Sequence, residues 1–333
     1  MEGMMKAAVL HGIGDLRVEN VPIPKVEKDE VLVRIHRCGV CGSDIPRVFV
    51  KGTYNFPCIP GHEFAGQVVE SADPALVGMR VAVFPLLPCF DCEPCKLEEY
   101  AQCENYDYYG SRRDGAFAEY LAVKKWNLIP IPENITYDEA AMCEPCAVAM
   151  HALNRAGVKE GDRVVIMGAG PIGLMLAQVA RMMGAGSVAL SDIDPEKKDF
   201  ARKLGFDVLE EGENCADVVI EGTGASPALT RCLEIAARGG TVLCMGNPSR
   251  EMTMSQKTYW HILRKELSVK GTWNSRYASF QNDWQDAIRV LSEGKLQAQE
   301  LITHRVKLDD APEMLAKMRD RSEFYVKVMI DLE

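Results

Sequence analysis

One run, VVIMGAGPIGLMLAQVARMMGA, narrows the possible folds more than any other stretch of the chain. An apolar strand enters Gly168, Gly170 and Gly173 at GxGxxG spacing and continues as a helix-forming segment opened by Pro171 and Ile172. The first glycine permits a tight turn, the second lets backbone approach a pyrophosphate, and the third lets the helix lie close to the strand. The helix N-terminus supplies the partial positive charge that a pyrophosphate requires. Asp192 ends the next strand, placed to accept hydrogen bonds from an adenosine ribose, and with Asp194 nearby it would repel a 2′-phosphate. NAD is therefore expected rather than NADP.

The pattern around this motif repeats. GDRVVIMGAG, SVALSDID, ADVVIEGTG, GTVLCMG and ELSVKGTW read as apolar strands, and PIGLMLAQVARMMGA, PEKKDFARKLG and SPALTRCLEIAARG read as helices between them. Such alternation implies an α/β, doubly wound parallel sheet. The stretch VIEGTGASPALTRCLEIAARGGTVLCMG is expected to supply a sheet-edge strand, where two subunits could pair as a homodimer or homotetramer.

At 333 residues, two domains are the reasonable expectation. The first third is mostly β: KAAVLH, DLRVENV, EVLVRIHRCG and EFAGQVVE are short strands between Gly and Pro punctuation, and FAEYLAVKKWNLIPIP carries two more. Thr136 is an N-cap candidate for a linking helix that ends at Gly157. WQDAIRVLSEGK and APEMLAKMRD read as helices, and the strand EFYVKVMI is expected to return to the first domain. The expected division is a catalytic domain over 1–147, a dinucleotide-binding domain over 148–273, and a return over 274–333.

A formal charge of −10 opposes nucleic acid as the main partner, because phosphate backbones require basic patches. No apolar stretch reaches the roughly 18 residues of a membrane span, and the N-terminus lacks a cleavable leader pattern, so a cytoplasmic protein is expected. Twelve cysteines fit a reducing compartment. Of these, Cys38, Cys58, Cys215, Cys232 and Cys244 are expected to be packing residues.

Four others stand apart. In PCFDCEPCKLEEYAQC, Cys89, Cys92 and Cys95 follow CxxCxxC spacing and Cys103 closes the set, within a lobe over 88–104. Two-residue gaps let thiolates turn back on one centre, and four of them complete a tetrahedral zinc shell with no position left for chemistry. A structural zinc is expected there, with a disulfide pair as the alternative.

A second ligand set is dispersed: Cys41 in CGVCGSD, His62 and Glu63 in PGHEFAG, and Glu144 in CEPC. Thiolate, imidazole and carboxylate together suit a catalytic zinc, which takes three protein ligands and keeps one exchangeable position. Cys38, Cys143 and Cys146 lie close enough in sequence to leave a thiolate-rich alternative open. With CGSD at 41–44, GHEFAG at 61–66, the four-cysteine lobe, DGAFAEY at 114–120, EP at 144–145 and GAGPIG at 168–173, the chain resembles the zinc-containing medium-chain alcohol and polyol dehydrogenases over nearly its full length.

That resemblance implies a GroES-like catalytic domain beside a Rossmann domain, two zinc ions per subunit, and NAD. It implies that Cys41, His62 and Glu144 bind catalytic zinc, with Glu63 a ligand or its exchangeable neighbour. It makes Asp44 the carboxylate that orients the zinc histidine and Ser43 the hydroxyl that takes the substrate proton. Pro46 departs from the pattern, standing where many relatives carry a relay histidine. The expected reaction is oxidation of a secondary alcohol by hydride transfer to NAD in a cleft that excludes water.

Arg47 and Lys51 follow the zinc cysteine, and Arg112 with Arg113 precedes a glycine turn. A guanidinium fork suits phosphate, so a polyol phosphate is the expected substrate, with exposed ion pairs as the alternative role for these arginines. An unphosphorylated polyol or sugar acid is the second reading. A non-catalytic NAD-binding zinc protein is the third, opposed by the joint presence of Cys41, Ser43, His62 and Glu144.

Overall fold

The computed structural model describes residues 3–209 and 216–333. Cys215 falls outside the described residues. The chain divides into two compact units: Met1–Glu144 with Arg276–Glu333, and Pro145–Ser275.

The first unit is built on a seven-stranded sheet. Its path runs Ile302–Lys307, Lys327–Asp331, Glu30–Val40, Glu63–Ser71, Arg80–Val83 and Leu128–Pro130, with Tyr120–Lys124 also paired to Glu30–Val40. Strand Glu30–Val40 is apolar along most of its length because both of its faces are covered. Val31, Val33, Ile35 and Cys38 pack with Phe64, Val68, Phe117 and Val328 in one core. An N-terminal hairpin, Met4–Gly12 with Asp15–Pro22, covers part of it. The tail does return: Lys327–Asp331 lies antiparallel to Glu30–Val40, with Val328 opposite Val40.

The second unit is a six-stranded, all-parallel sheet in the order Asp207–Val208, Ser187–Ser191, Arg163–Met167, Ala216–Glu221, Ala236–Cys244, Ser268–Gly271. The strand order reverses between Arg163–Met167 and Ala216–Glu221. In doubly wound sheets, ligands bind outside the carboxyl ends of strands at that reversal. The edge-strand expectation needs correction: Ala216–Glu221 and Ala236–Cys244 are interior, with Val219, Ile220, Val242 and Leu243 fully buried. Continuous apolar strands belong inside a parallel sheet, where both faces are covered. Among the described residues the outer strand beyond them is Ser268–Gly271, with Val269 45% exposed.

Two local expectations also shift. The linking helix is two helices, Tyr137–Ala141 and Cys143–Ala156. The first is fixed by a capping box, in which the Thr136 hydroxyl accepts from the Glu139 amide (3.3 Å) and the Glu139 carboxylate accepts from the Thr136 amide (2.9 Å). The helix read through SPALTRCLEIAARG stops at Ile235, and Ala236 already begins a strand.

Candidate active site

The four lobe cysteines converge: their sulfur atoms all lie within 4.8 Å of one another. Cys89 and Cys95 sulfurs are 4.0 Å apart, and those of Cys92 and Cys103 are 3.8 Å apart. A tetrahedron of thiolates about 2.3 Å from zinc has edges of about 3.8 Å, so the set fits the metal without rearrangement. Amides also aim at sulfur: the Cys89 amide donates to Cys103 Sγ (3.3 Å). Amides of Asp91 and Cys92 directed at Cys89 hold its thiol down to about 6. Aromatic packing fastens the lobe from below, where Phe90, Tyr100 and Tyr277 all meet the Trp126 ring edge-on, with centroids 4.9 to 5.1 Å away.

In the first unit a second group forms where the turn after Glu30–Val40 meets the start of Glu63–Ser71. Ligand atoms of Cys41, His62 and Glu63 lie within 4.8 Å of one another. Asp44 is fully buried beneath them: Oδ2 accepts from the Cys41 amide (2.9 Å), and Oδ1 lies 3.4 Å from His62 Nδ1. A proton on Nδ1 directed at Asp44 leaves the Nε2 lone pair for a metal. Burial would raise the Asp44 carboxyl, but the His62 ring and the Arg47 guanidinium outweigh it and hold Asp44 below the ordinary range. Ser43 begins the short helix Asp44–Pro46, and its hydroxyl does not cap that helix.

Glu144 is outside the trio but within its electrostatic reach. Burial, then the charge of Glu63, push its carboxyl up to about 7. A half-buried thiol, a buried imidazole and two buried carboxylates form a donor set that a dication would relieve, so these residues fit zinc. Cys38, Cys143 and Cys146 are buried and are not part of that group.

Two site residues went unnoticed in the sequence. Lys327, 2% exposed, pairs with the Glu63 carboxylate and donates to the Val40 carbonyl (3.2 Å). It arrives from the far C-terminus, which no local motif announces. The one signal was a lone lysine inside an apolar strand, FYVKVMI. Tyr108 is the other: its ring meets His62 edge-on at 5.7 Å, and burial, then the Glu144 charge, raise its hydroxyl well above the usual range.

The arginines part ways. Arg47 donates to Asp44 Oδ1 (3.1 Å) and its Nη1 lies 3.4 Å from His62 Nδ1. Arg113 pairs with Asp107 (3.2 Å). Arg112 lies between two rings, with Cζ 4.1 Å from the Tyr54 centroid and 4.4 Å from that of Tyr106. Lys51 is exposed.

In the second unit the glycine loop has the shape its spacing foretold. Gly168 takes φ of 113°, a Cβ at Gly173 would collide with the Gly168 carbonyl, and the side of Gly170 where a Cβ would point is open for 4 Å. Gly170 caps helix Pro171–Met182, with Pro171 as its first residue and Ile172 following. Asp192 accepts from the Ala169 amide (2.8 Å) and from the Asp194 amide (3.0 Å), tying the strand end to the loop. Open backbone at Gly170 beside a helix N-terminus fits a dinucleotide pyrophosphate.

A closed thiolate cage, a mixed-donor metal group and a Rossmann glycine loop define a zinc-dependent, nicotinamide-linked dehydrogenase. Family models described as "Alcohol dehydrogenase GroES-like domain" and "Zinc-binding dehydrogenase" match residues 27–133 and 171–293, and the chain belongs to this zinc-binding alcohol and polyol dehydrogenase family, whose cofactors are zinc and NAD. It is 37% identical to galactitol 1-phosphate 5-dehydrogenase of Escherichia coli (strain K12) over 320 residues, 90% of this chain and 92% of that one. Sorbitol dehydrogenase of Bacillus subtilis (strain 168) is 32% identical, covering 98% and 97%. The crystal structure of galactitol-1-phosphate dehydrogenase from Escherichia coli superposes with a TM-score of 0.92 at 34% identity, covering 98% of this chain and all of that one.

Proposed function

We propose that the protein oxidises a secondary alcohol of a phosphorylated polyol with NAD, galactitol 1-phosphate giving tagatose 6-phosphate being the best-supported substrate and product. The observation that carries the chemistry is the convergence of Cys41, His62 and Glu63 above the buried Asp44, with Glu144 in reach. Similarity over 90% of the chain to a galactitol 1-phosphate dehydrogenase supports the substrate. Sorbitol and L-idonate dehydrogenases among the similar proteins keep an unphosphorylated polyol or sugar acid as the second reading.

Cys41, His62 and Glu144 would hold the catalytic zinc, and Glu63, leashed by Lys327, would exchange with the outer position. Cys89, Cys92, Cys95 and Cys103 would hold the structural one. When bound, zinc supplies Lewis-acid polarisation of the alcohol oxygen, and NAD supplies the hydride acceptor. Asp44 keeps the His62 proton on Nδ1, so the ring cannot turn away. Ser43 Oγ receives the hydroxyl proton. Pro46 has no side-chain donor or acceptor, so the proton leaves Ser43 through water or Glu63. Gly168, Gly170, Pro171, Ile172 and Gly173 would cradle the pyrophosphate, and Asp192 would receive the ribose hydroxyls. Of the three arginines expected on the substrate side, Arg47 and Arg113 pair with Asp44 and Asp107, which leaves Arg112 for an anionic substrate group.

No helix among the described residues is long and apolar enough to cross a membrane, and a cytoplasmic enzyme is the proposed location. A homodimer or homotetramer is the proposed assembly, through the outer strand Ser268–Gly271 and the neighbouring exposed Trp260, Leu263 and Trp273. Incubating purified protein with NAD and galactitol 1-phosphate, galactitol, sorbitol and L-idonate, with and without a zinc chelator, tests the function. NADH formation fastest with the phosphorylated polyol and abolished by the chelator is expected. Turnover that survives complete zinc removal would overturn the mechanism.

A further inference from the structure

Of the three arginines read as substrate candidates, two are already spent. Arg47 is committed to Asp44, and Arg113 to Asp107. Arg112 has no carboxylate partner among the described residues, in a chain where 48 acidic residues outnumber 38 basic ones. Its Cζ instead lies over the rings of Tyr54 and Tyr106, 4.1 and 4.4 Å from their centroids. A guanidinium held against two rings has no carboxylate using its N–H donors, which leaves them for a phosphate or carboxylate fork.

The clamp is also fixed in place. The Arg112 amide donates to the Tyr108 carbonyl (3.0 Å), and the Tyr54 amide donates to the Ser111 carbonyl (3.1 Å), so the two loops carrying the sandwich are tied together. Tyr54 is 71% exposed, a ring held at the surface by this stack and not by burial in a core. Tyr106 meets Tyr108 edge-on at 6.4 Å, and Tyr108 meets His62 at 5.7 Å. An unbroken row of rings therefore leads from the guanidinium to the metal-site imidazole, within one compact unit.

We propose that Arg112, clamped between Tyr54 and Tyr106, is the anion seat of the active site and binds the substrate phosphate through the edge of its guanidinium. The inference rests on the polyol-phosphate reading above. Tyr54 and Tyr106 are positioning residues: they order the guanidinium before substrate arrives, which lowers the conformational cost of binding.

The test compares kcat/KM for galactitol 1-phosphate and galactitol in the wild type and in Arg112→Met, Arg112→Lys and Tyr106→Leu, with inhibition by inorganic phosphate measured alongside. Thermal melts select the variants that fold. Arg112→Met should lower the preference for the phosphorylated substrate about 30-fold, the scale of one charge-assisted pair, and weaken phosphate inhibition in proportion. Arg112→Lys keeps the charge but loses the planar fork, and should fail to restore the preference. Tyr106→Leu should lower it about 3- to 10-fold through KM alone, since a looser guanidinium costs binding and not turnover. A wild-type preference left intact in folded Arg112→Met overturns the seat while the polyol-phosphate reading stands. A wild type with no such preference overturns that reading, and the seat then stands only if inorganic phosphate inhibits the wild type and not Arg112→Met.

Discussion

Lys327→Met removes half of an ion pair that water does not reach, since the side chains of Lys327 and Glu63 are 2% and 1% exposed. Two charges about 4 Å apart interact by roughly 4 kcal/mol at an effective dielectric constant of ~20. Removing one partner of a buried pair costs about 3–5 kcal/mol, because the charge left behind stays dry and unpaired. The Val40 carbonyl also loses the Lys327 donor. The variant without metal is therefore expected to lose about 3–5 kcal/mol. Zinc should shrink the deficit, because a dication beside Glu63 supplies the missing positive charge. Adding Glu63→Gln should recover part of the loss, since a neutral amide needs no counter-charge. Urea titrations of wild type, both single variants and the double variant, with hydrogen exchange of strand Lys327–Asp331 as the local readout, complete the cycle. Single losses that simply sum in the double variant would refute the coupling.

Asp192→Ala should weaken NAD more than NADP, checked by fluorescence titration, and unchanged discrimination would count against its ribose role. Cys92→Ser should reduce tightly bound zinc from two ions to one per chain by metal analysis, with the glycine loop still binding NAD. Gly173→Ala should abolish cofactor binding, because its Cβ would meet the Gly168 carbonyl. In the second unit, Arg163 hydrogen bonds hold the Asp217 carboxyl down to about 2. A carboxyl depressed on folding stabilises above its unfolded pKa of ~3.9 and loses that contribution as pH falls toward 2. The side chains are 50% and 38% exposed, so screening limits the effect to roughly 1 kcal/mol or less. Asp217→Asn should thus differ from wild type at pH 7 and converge with it between pH 4 and 2 in denaturation curves.

Features carried by short spacing were legible in the sequence. The glycine loop, the thiol cage, the alternation of strand and helix, and the cap at Thr136 each depend on residues a few positions apart, where backbone geometry alone dictates who meets whom. Helix Gln256–Lys265 and strand Ile302–Lys307 lacked such marks and went unread. Interior and edge strands of the parallel sheet could not be told apart either, because apolar runs look alike until their neighbours are known.

The chain's own order of residues determined two kinds of metal-ligand chemistry, a dinucleotide loop and a two-unit plan, since each is written in local pattern. Tertiary structure alone decided that Lys327 neutralises Glu63, that Arg47 and Arg113 are already paired, and that Arg112 is caught between two tyrosines. Those outcomes depend on segments distant in sequence being packed side by side, and on which charge reaches which partner once water is excluded.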